Sequence, residues 1–452
     1  MSHLYASLFY QADVTEIFSD SALLKYMIQA EVALAKAQAQ VGVIPESAAT
    51  IIAHIAETQA IQGIDFENLA IATALAGNIA IPFVKQFTAA VKVVDEDASR
   101  YVHWGATSQD ILDTACILQA RDALAVVELQ LQHAYAASLE LAEKYRTQVM
   151  IGRTWLQQAL PITFGYKAAR WASSFNRDLE RLEQMKVRVL TVQLGGAVGS
   201  LASLLDQGSK VVDAYAAQLN LSVPTCTWHG ERDRIVELAS FLAMVVGNTG
   251  KIARDWSLMM QTEIAEVFEP SLKGRGGSST MPHKRNPVAA ATVLAAANRV
   301  PALMSSIYQS MVQEHERSLG SWHAEWLALP EIFQLCAGAL ERTVEVLQGL
   351  EINSENMQHN IECSHGLIMA EAVMMALAPK MGRLNAHYLV EKACQQAVAK
   401  QSHLRDIVSS FVEVKQYFSA DELTLIFKPE SYLGNIQDQI DAVLKEAKGA
   451  AK

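Results

Sequence analysis

Residues 231–269 read ERDRIVELASFLAMVVGNTGKIARDWSLMMQTEIAEVFE, a long run without proline. Its composition predicts a helix of about 55 Å if it is unbroken, at a rise of 1.5 Å per residue. The apolar residues between Phe241 and Val246 cannot share one stripe, so the helix must be buried on most sides. A helix of this length would extend beyond a single-domain core, and we expect other subunits to cover part of it.

Other segments also predict helices. The stretch ALLKYMIQAEVALAKAQAQVG, residues 22–42, has the period of an amphipathic helix and ends before Pro45. TSQDILDT, from Thr107, opens a helix towards Tyr145, with the hydroxyl of Thr107 or Ser108 as its cap. Strand patterns are limited to QVMIGRTW and LSVPTCTW. The sequence therefore predicts a mostly helical protein.

Domain boundaries are expected near Ala106 and Asn353. They give an N-terminal segment, residues 1–106, a central segment with the long helices, residues 107–352, and a C-terminal segment, residues 353–452. Within the central segment, Asn286 and Pro287 are expected as N-cap and first residue of a helix over NPVAAATVLAAANRV, with Pro301 at a boundary or kink.

Composition excludes several function classes. The net charge of −11 over 452 residues counts against nonspecific nucleic-acid binding, which needs a broad basic face. The first residues lack a basic signal-peptide region, and the uncharged runs are shorter than a bilayer requires. Five scattered cysteines without a CxxC pair are expected as small buried residues in a reducing compartment. We expect a soluble cytoplasmic protein without nucleic-acid or membrane partners.

The segment GGSSTMPHKRNP, residues 276–287, contrasts with this acidity. Residues 270–289 contain no Asp or Glu but carry Lys273, Arg275, Lys284 and Arg285. Glycines permit positive φ, and the N-terminus of the following helix should offer unpaired N–H groups to an anion. The pattern predicts a mobile cationic loop, about residues 270–287, that binds an anionic ligand. A solvated surface loop is the alternative.

GSSTMPHKRNP resembles the GSSxMPxKxN signature of the fumarase/aspartase superfamily. HWGATSQDILDT from His103 and QLGGAVGS from Gln193 resemble two further elements, so the resemblance covers nearly the whole chain. It implies an all-α, three-segment fold around a central bundle of long helices. It also implies a homotetramer in which three subunits contribute to each active site.

The resemblance assigns the site residue by residue. Ser278 would be the general base, with Lys284 and Asn286 binding substrate charge. Thr107 and Ser108 would bind a carboxylate and His103 would line the site; helix capping and a satisfied polar core are the alternatives. The other implied substrate-binding residues are Arg153, Thr154, Trp155, Gln157, Ser279, Met281 and Arg317. For the two arginines, a structural ion pair is the alternative.

One position departs from the superfamily. Its element GRTHxQ reads GRTWLQ here, so Trp155 replaces a histidine that acts on the leaving-group side in several of the lyases. Indole cannot transfer a proton near neutral pH, whereas expelling an amine or hydroxide needs an acid. A carboxylate, with a pKa near ~4, departs unaided.

The substitution therefore predicts a carboxylate leaving group. It resembles the superfamily branch that closes a carboxylated muconate to a lactone by adding a carboxylate to its conjugated alkene. A small tricarboxylate substrate also explains the cationic loop. That reaction is redox-neutral and needs no cofactor. No metal site is expected, because His315, Glu316 and His323 lack HExxH spacing.

Two rival functions remain open. An adenylosuccinate or argininosuccinate lyase would release fumarate with the same loop, but Trp155 disfavours it. Residues 321–326, SWHAEW, also stand where such a lyase should carry a Ser- and Arg-rich phosphate-binding stretch. A noncatalytic structural relative is the second rival, and the intact Ser278, Lys284 and Asn286 argue against it.

Overall fold

The structure is a computed structural model that describes residues 3–58, 64–271, 276–277, 280–281 and 283–450. It is built mostly from helices, as the sequence predicts. The first part of the chain forms α1 (His3–Phe9), α2 (Ala12–Ile17), α3 (Asp20–Val41), α4 (Glu46–Thr58), α5 (Phe66–Ala76), α6 (Ala80–Val94) and α7 (Glu96–Ser99).

Long helices dominate the middle of the chain. These are α8 (Ser108–Lys144), α9 (Phe164–Val189), α11 (Asp233–Met259), α12 (Val288–Ser310) and α13 (Ser321–Gly349), with the shorter α10 (Gly208–Leu219) between them. The last part contains α14 (Ser354–Cys363), α15 (Ala370–Met381), α16 (Arg383–Lys400), α17 (Leu404–Val408), α18 (Val412–Lys415), α19 (Ala420–Ile426) and α20 (Ile436–Ala450).

In the part of the chain that the structure describes, four short strands form two antiparallel pairs. Strand β1 (Val149–Thr154) pairs with β2 (Gln157–Thr163), and β3 (Val267–Phe268) pairs with β4 (Glu351–Ile352). The first pair confirms the strand pattern of QVMIGRTW. LSVPTCTW, in contrast, forms no strand and contributes only an isolated bridge between Thr191 and Ser222.

Two compact units divide the described chain. One contains residues 1–131, 178–250 and 292–341, and the other contains residues 132–177, 251–291 and 342–452. We call them unit 1 and unit 2. The divisions fall inside α8, α9, α11, α12 and α13, so each long helix contributes to both units. The three segments expected from the sequence are a different division and stay a prediction.

Each unit has its own hydrophobic core. The core of unit 1 includes Leu24, Phe83, Phe87 and Tyr215 from α3, α6 and α10. The core of unit 2 gathers apolar residues of β1 with those of the C-terminal helices, including Ile151, Val373 and Val408. Burial of these side chains supplies the main free energy that holds the helices of each unit together.

Helix α3 begins and ends where its sequence predicts. Ser19 accepts a hydrogen bond from the N–H of Ala22, which satisfies a free donor of the first turn. Gly42 ends the helix in the left-handed region, at φ 83°, where glycine carries no steric penalty. The start of α8 at Ser108 and its end at Lys144 also confirm the prediction.

Helix α11 is shorter than predicted. It ends at Met259, about 40 Å from its start, and not at Glu269. Ala265, at φ 46°, reverses the chain, and residues 267–268 pair with β4. No glycine or proline announces this end, so tertiary pairing decides it.

Helix α12 continues through Pro301 to Ser310, so this proline is not a helix boundary. Proline removes one helical hydrogen bond. Val300, Leu303 and Met304 are buried around it, and their packing keeps the helix together.

Two of the long helices are more apolar than the sequence analysis predicted, since it found only uncharged runs too short to cross a bilayer. Among the described residues, α11 and α12 are long and apolar enough to span a membrane, and residues 354–381 pass the same test only as a bent pair. Burial inside the chain covers 56% of the apolar window of α11 and 44% of that of α12. The rest of each window is not buried by the chain itself.

Candidate active site

The residues predicted to form the site lie in both units, and each unit is described by itself. In unit 1, a tight turn from His103 to Thr107 leads into α8. The N–H of Ala106 donates to the carbonyl of His103, and Gly105 has φ 73°. At this φ a residue with a Cβ would be strained, and the Cβ would also lie 2.8 Å from the Leu204 side chain, so the position favours glycine. The turn brings His103, Thr107 and Ser108 to the N-terminus of α8.

Asp110 stabilises this turn through hydrogen bonds to backbone N–H groups. It is fully buried and accepts hydrogen bonds from the N–H groups of Thr107 (2.9 Å), Gly195 (2.8 Å) and Gly196 (2.9 Å). The Nε2 atom of His229 lies 2.7 Å from Asp110 Oδ1, the oxygen that also accepts from Gly195. Asp110 therefore joins the predicted HWGATSQDILDT and QLGGAVGS elements.

The first turn of α8 is capped differently from the prediction. Asp110 reaches back to the N–H of Thr107, and neither the Thr107 nor the Ser108 hydroxyl bonds another described residue. Both side chains are half-buried. Their hydroxyls thus keep hydrogen-bonding capacity at a helix N-terminus, where an anion is favoured.

A buried ionic cluster lies one turn further along α8. Arg232 binds Asp113 at 2.7 and 3.0 Å and Glu325 at 2.6 and 3.0 Å. The indole N–H of Trp322 donates to Asp113 at 3.0 Å. Burial opposes the charge of Arg232, but the two carboxylates outweigh it and raise the pKa of the guanidinium. Burial also raises the pKa of Glu325, although Arg232 opposes that shift.

Arg317 differs from Arg232 in its partners. Its Nε donates to the Gln109 side chain at 3.0 Å, and one Nη donates to the carbonyl of Ala197 at 3.2 Å. No carboxylate pairs with Arg317 in the part of the chain that the structure describes. The ion pair left open for this residue is therefore not observed, and its charge remains available to a ligand.

The His103 ring is bound on one side only. Its Nδ1 lies 2.6 Å from Glu31 Oε1, and its Nε2 has no hydrogen-bond partner among the described residues. Burial opposes protonation of this ring, but Glu31 and Asp110 outweigh it and raise the pKa of His103.

In unit 2, the β1–β2 hairpin carries four predicted site residues. Trp155 and Leu156 both have positive φ, 53° and 62°, as the two-residue turns of hairpins require. The Trp155 side chain is 97% exposed at the tip, and Thr154 and Gln157 flank it at exposed positions. The hairpin thus presents an indole where the superfamily element has a histidine.

Arg153 lies below this tip and already has a carboxylate. It binds Glu266 through two hydrogen bonds of 2.7 and 2.9 Å, and Asn360 donates to the same carboxylate. Glu266 is fully buried. The structural ion pair left open for Arg153 is therefore present, and a direct contact with substrate stays a prediction.

The signature loop is described only in part. Ser278 and Ser279 lie outside the described residues, as do Lys273 and Arg275. The N–H of Asn286 donates to the carbonyl of Gly276 at 2.9 Å, and that of Lys284 donates to Met281 at 3.0 Å. The first of these bonds joins the two ends of GGSSTMPHKRN. Gly276 accommodates this closure at φ 71°.

The cations of the loop have different partners. Arg285 binds Glu351 at 2.8 and 2.9 Å and lies over the ring of Phe268, so it anchors the loop. The Lys284 side chain is exposed and pairs with no carboxylate in the described ranges. The Asn286 side chain likewise bonds no described group, while Met281 is 43% exposed.

The N-terminus of α12 is not open to an anion as predicted. Buried Glu269 accepts from the N–H groups of Ala289 (3.0 Å) and Ala290 (2.8 Å), and from the indole of Trp256 at 3.0 Å. Buried backbone donors need partners, and an internal carboxylate supplies them here. Substrate charge must be met by other groups.

Sequence reasoning missed the buried acids of both units. Glu31, Asp110, Asp113, Glu266, Glu269 and Glu325 are each at most 5% exposed. Their signal was a charge on a helix face that should be apolar, as for Glu31 between Ala30 and Ala33. No cluster of metal-ligating side chains occurs among the described residues. The cysteine prediction was wrong for Cys226 and Cys363, which are exposed.

Comparison with known proteins places these features among the lyases. The family described as "Lyase" matches residues 10–302, and "Adenylosuccinate lyase C-terminus" matches residues 366–443. A 3-carboxy-cis,cis-muconate cycloisomerase of Acinetobacter baylyi is 76% identical over the full length of both chains.

Solved structures agree in fold. A beta-carboxy-cis,cis-muconate cycloisomerase from Acinetobacter calcoaceticus superposes with a TM-score of 0.93 at 73% identity, covering 98% of this chain and all of the other. A 3-carboxy-cis,cis-muconate lactonizing enzyme from Pseudomonas putida gives a TM-score of 0.94 at 42% identity, with full coverage of both chains.

Proposed function

The chain belongs to the lyase family of the fumarase/aspartase superfamily, and from that membership we propose that it catalyses the cycloisomerisation of 3-carboxy-cis,cis-muconate. In this reaction a carboxylate of the substrate adds to its own conjugated alkene and gives a carboxymuconolactone. The observation that carries the proposal is the 76% identity over the whole chain to a relative described as that enzyme.

Trp155 supports this reaction chemically. In the reverse direction the lactone expels a carboxylate, which needs no protonation, so a histidine at the hairpin tip is dispensable. The indole is 97% exposed there and supplies no proton. An amine-releasing lyase would need an acid in its place.

We assign the proton transfer to Ser278. As the carboxylate oxygen bonds to the alkene carbon, the π electrons move towards the neighbouring carboxylate and form an aci-carboxylate. The Ser278 hydroxyl then protonates the carbon alpha to that group, and in reverse the alkoxide removes the proton. Exposed Lys284 and the Asn286 side chain would stabilise the charge as it develops.

The other carboxylates need separate partners. Arg317 fits because no described carboxylate neutralises it, and Thr107 and Ser108 fit because their hydroxyls stand free at the start of α8. Thr154, Gln157, Ser279 and Met281 stay predicted substrate contacts. The chemistry calls for no cofactor.

A homotetramer with shared active sites is the assembly we propose. The long helices α11 and α12 keep apolar surface that their own chain leaves uncovered, and Met244 on α11 is 45% exposed. Further copies of the chain would cover this surface and the exposed Trp155. We also propose a cytoplasmic location and a role in protocatechuate degradation, which the reaction implies.

The adenylosuccinate lyase reading rests on the family match at residues 366–443. The residues at the expected phosphate-binding stretch argue against it. Trp322 and Glu325 are buried against Asp113 and Arg232, so this place holds two carboxylates and no free cation. A phosphate would be repelled there. A noncatalytic relative would leave Lys284 and Arg317, which pair with no carboxylate among the described residues, without an anionic ligand.

The test is an ultraviolet assay of the purified protein with 3-carboxy-cis,cis-muconate, beside adenylosuccinate and argininosuccinate. We expect loss of the diene absorbance and no fumarate from the other two. Ser278→Ala should abolish turnover with little loss of binding, whereas Ser410→Ala, a matched change on an exposed serine, should not. Fumarate release, or full turnover by Ser278→Ala, would contradict the proposal.

A further inference from the structure

Helix α3 carries two buried polar side chains on one face. Glu31 is 2% exposed and Gln38 is fully buried, although the residues between and before them on this face are apolar, such as Met27, Leu34 and Ala35. Seven residues are about two helical turns, so the two side chains point the same way. Both bind the turn that precedes α8: Glu31 binds the His103 ring at 2.6 Å, and Gln38 donates to the carbonyl of Trp104 at 2.6 Å.

The two contacts have different consequences. Gln38 holds the backbone of the turn through a neutral hydrogen bond. Glu31 brings a charge into a site where its side chain is 1% exposed, and a buried carboxylate is costly unless a cation accompanies it. His103 is the one group with which Glu31 forms an ion pair in the described ranges. Charge balance therefore favours an imidazolium.

The other charged groups around His103 also favour its protonated form. Glu31 on α3 and Asp110 on α8 are the charged groups that raise the pKa of the ring against the effect of burial. Tyr215 on α10 lies near both acids, and burial raises the pKa of its hydroxyl, so it stays neutral. His103 itself has φ 60°, an unfavourable value for a residue with a Cβ. The two contacts from α3 hold this conformation.

We propose that Glu31 is a positioning residue that keeps His103 as an imidazolium, with its Nε2–H directed to a carboxylate of the substrate. The Nε2 atom has no described partner, and the ring is 19% exposed, so a ligand can reach it. His103 precedes the free hydroxyls of Thr107 and Ser108 by only a few residues. The three groups together form one carboxylate subsite in unit 1. The identity of this carboxylate rests on the proposed function.

A charged His103 that binds the substrate predicts the direction in which KM changes with pH. A histidine whose pKa is raised stays charged below that pKa and loses its charge as the pH rises through it. The KM for the tricarboxylate should therefore increase on the alkaline side, while kcat changes little, because His103 binds charge and transfers no proton. Removing the Glu31 charge should move this increase to lower pH.

The experiment compares Glu31→Gln with Gln38→Ala. The first keeps the size and an acceptor but removes the charge; the second loosens the same turn from the same helix without touching the charge. Histidine-labelled protein gives the His103 titration by NMR, with His103→Gln to assign its signal. KM and kcat are measured from pH 6 to 9 for all variants, and thermal unfolding verifies their fold.

We expect His103 to titrate above the ordinary pKa of histidine in the parent protein and in Gln38→Ala, and at a lower pH in Glu31→Gln. A parent value at or below 6.5 would overturn the imidazolium. A lowered titration with an unmoved KM profile would overturn the substrate contact. The NMR titration is measured without turnover. It therefore still tests the protonation of His103 if the proposed reaction is not observed. If Gln38→Ala moves the KM profile as far as Glu31→Gln, the charge is not the cause.

Discussion

Replacing Arg232 by methionine tests the buried ionic cluster of unit 1. Arg232 is 1% exposed at its side chain, and it makes four hydrogen bonds to Asp113 and Glu325. Methionine fills much of the same volume without a charge. The variant therefore leaves two buried carboxylates without their cation.

The magnitude follows from what each carboxylate retains. Asp113 keeps three donors, from Trp322, Gln109 and Gln193, at 3.0, 3.1 and 3.3 Å. Glu325 loses both of its hydrogen bonds to Arg232. Removing one partner of a buried ion pair costs 3 to 5 kcal/mol, and we expect about 4 kcal/mol here, mostly from Glu325. Adding Glu325→Gln should restore about half of this loss.

Urea unfolding followed by circular dichroism measures the loss, at one fixed protein concentration because oligomers unfold in a concentration-dependent way. Arg299→Met is the matched control. Arg299 binds Glu331 through two hydrogen bonds of 2.8 and 3.1 Å, but its side chain is 53% exposed. Exposed pairs contribute about 0.2 to 1 kcal/mol, so this variant should lose less than about 1 kcal/mol.

The pH dependence of the stability of Arg232→Met is a second test of the same reasoning. Burial raises the pKa of Glu325, and without Arg232 the pKa should rise further. The folded state then binds a proton more readily than the unfolded state, so stability increases as the pH falls towards 4.5. The deficit of Arg232→Met should shrink from pH 8 to pH 5. Equal losses for Arg232→Met and Arg299→Met, or a deficit that grows on acidification, would refute the reasoning.

Three further changes test single contacts. Glu269→Ala should lower the free energy of unfolding by about 2 kcal/mol, because two N–H groups at the start of α12 lose their acceptor; a loss below about 0.5 kcal/mol in urea would contradict the cap. Arg153→Met should cost about 3 kcal/mol by leaving Glu266 buried and unpaired, and adding Glu266→Gln should recover part of it. Trp155→His should keep the far-ultraviolet circular dichroism of the parent protein, because the side chain is 97% exposed within its own chain, and should release no fumarate from adenylosuccinate; fumarate release would contradict the role assigned to Trp155.

The sequence predicts those parts of the structure that depend on nearby residues. Helix α3 has its cap, its period and its terminal glycine within one stretch, and the β1–β2 hairpin has its strand pattern beside its turn. The end of α11 depends instead on pairing between residues 267–268 and 351–352, about eighty residues apart in the chain. No local signal announces such a pairing, so the helix was predicted too long.

The candidate site shows the same division. Ser278, Lys284 and Asn286 follow from one contiguous signature, and so do Thr107 and Ser108. Asp110 follows from no signature alone, because its function is to bind N–H groups from residues 195–196 as well as from Thr107. The opposite error occurred at α12, where the free N–H groups predicted from the helix start are bound by Glu269.

Whether a cation already has a carboxylate partner distinguishes structural from ligand-binding cations better than its position in a sequence motif does. Arg153 and Arg285 lie inside predicted site elements, yet Glu266 and Glu351 already neutralise them. Moving a substrate carboxylate to either would require breaking an existing ion pair, which cancels most of the gain. Lys284 and Arg317 carry charges that no carboxylate meets in the part of the chain that the structure describes. We therefore keep Lys284 and Arg317 as the two cations that are proposed to bind the anionic substrate.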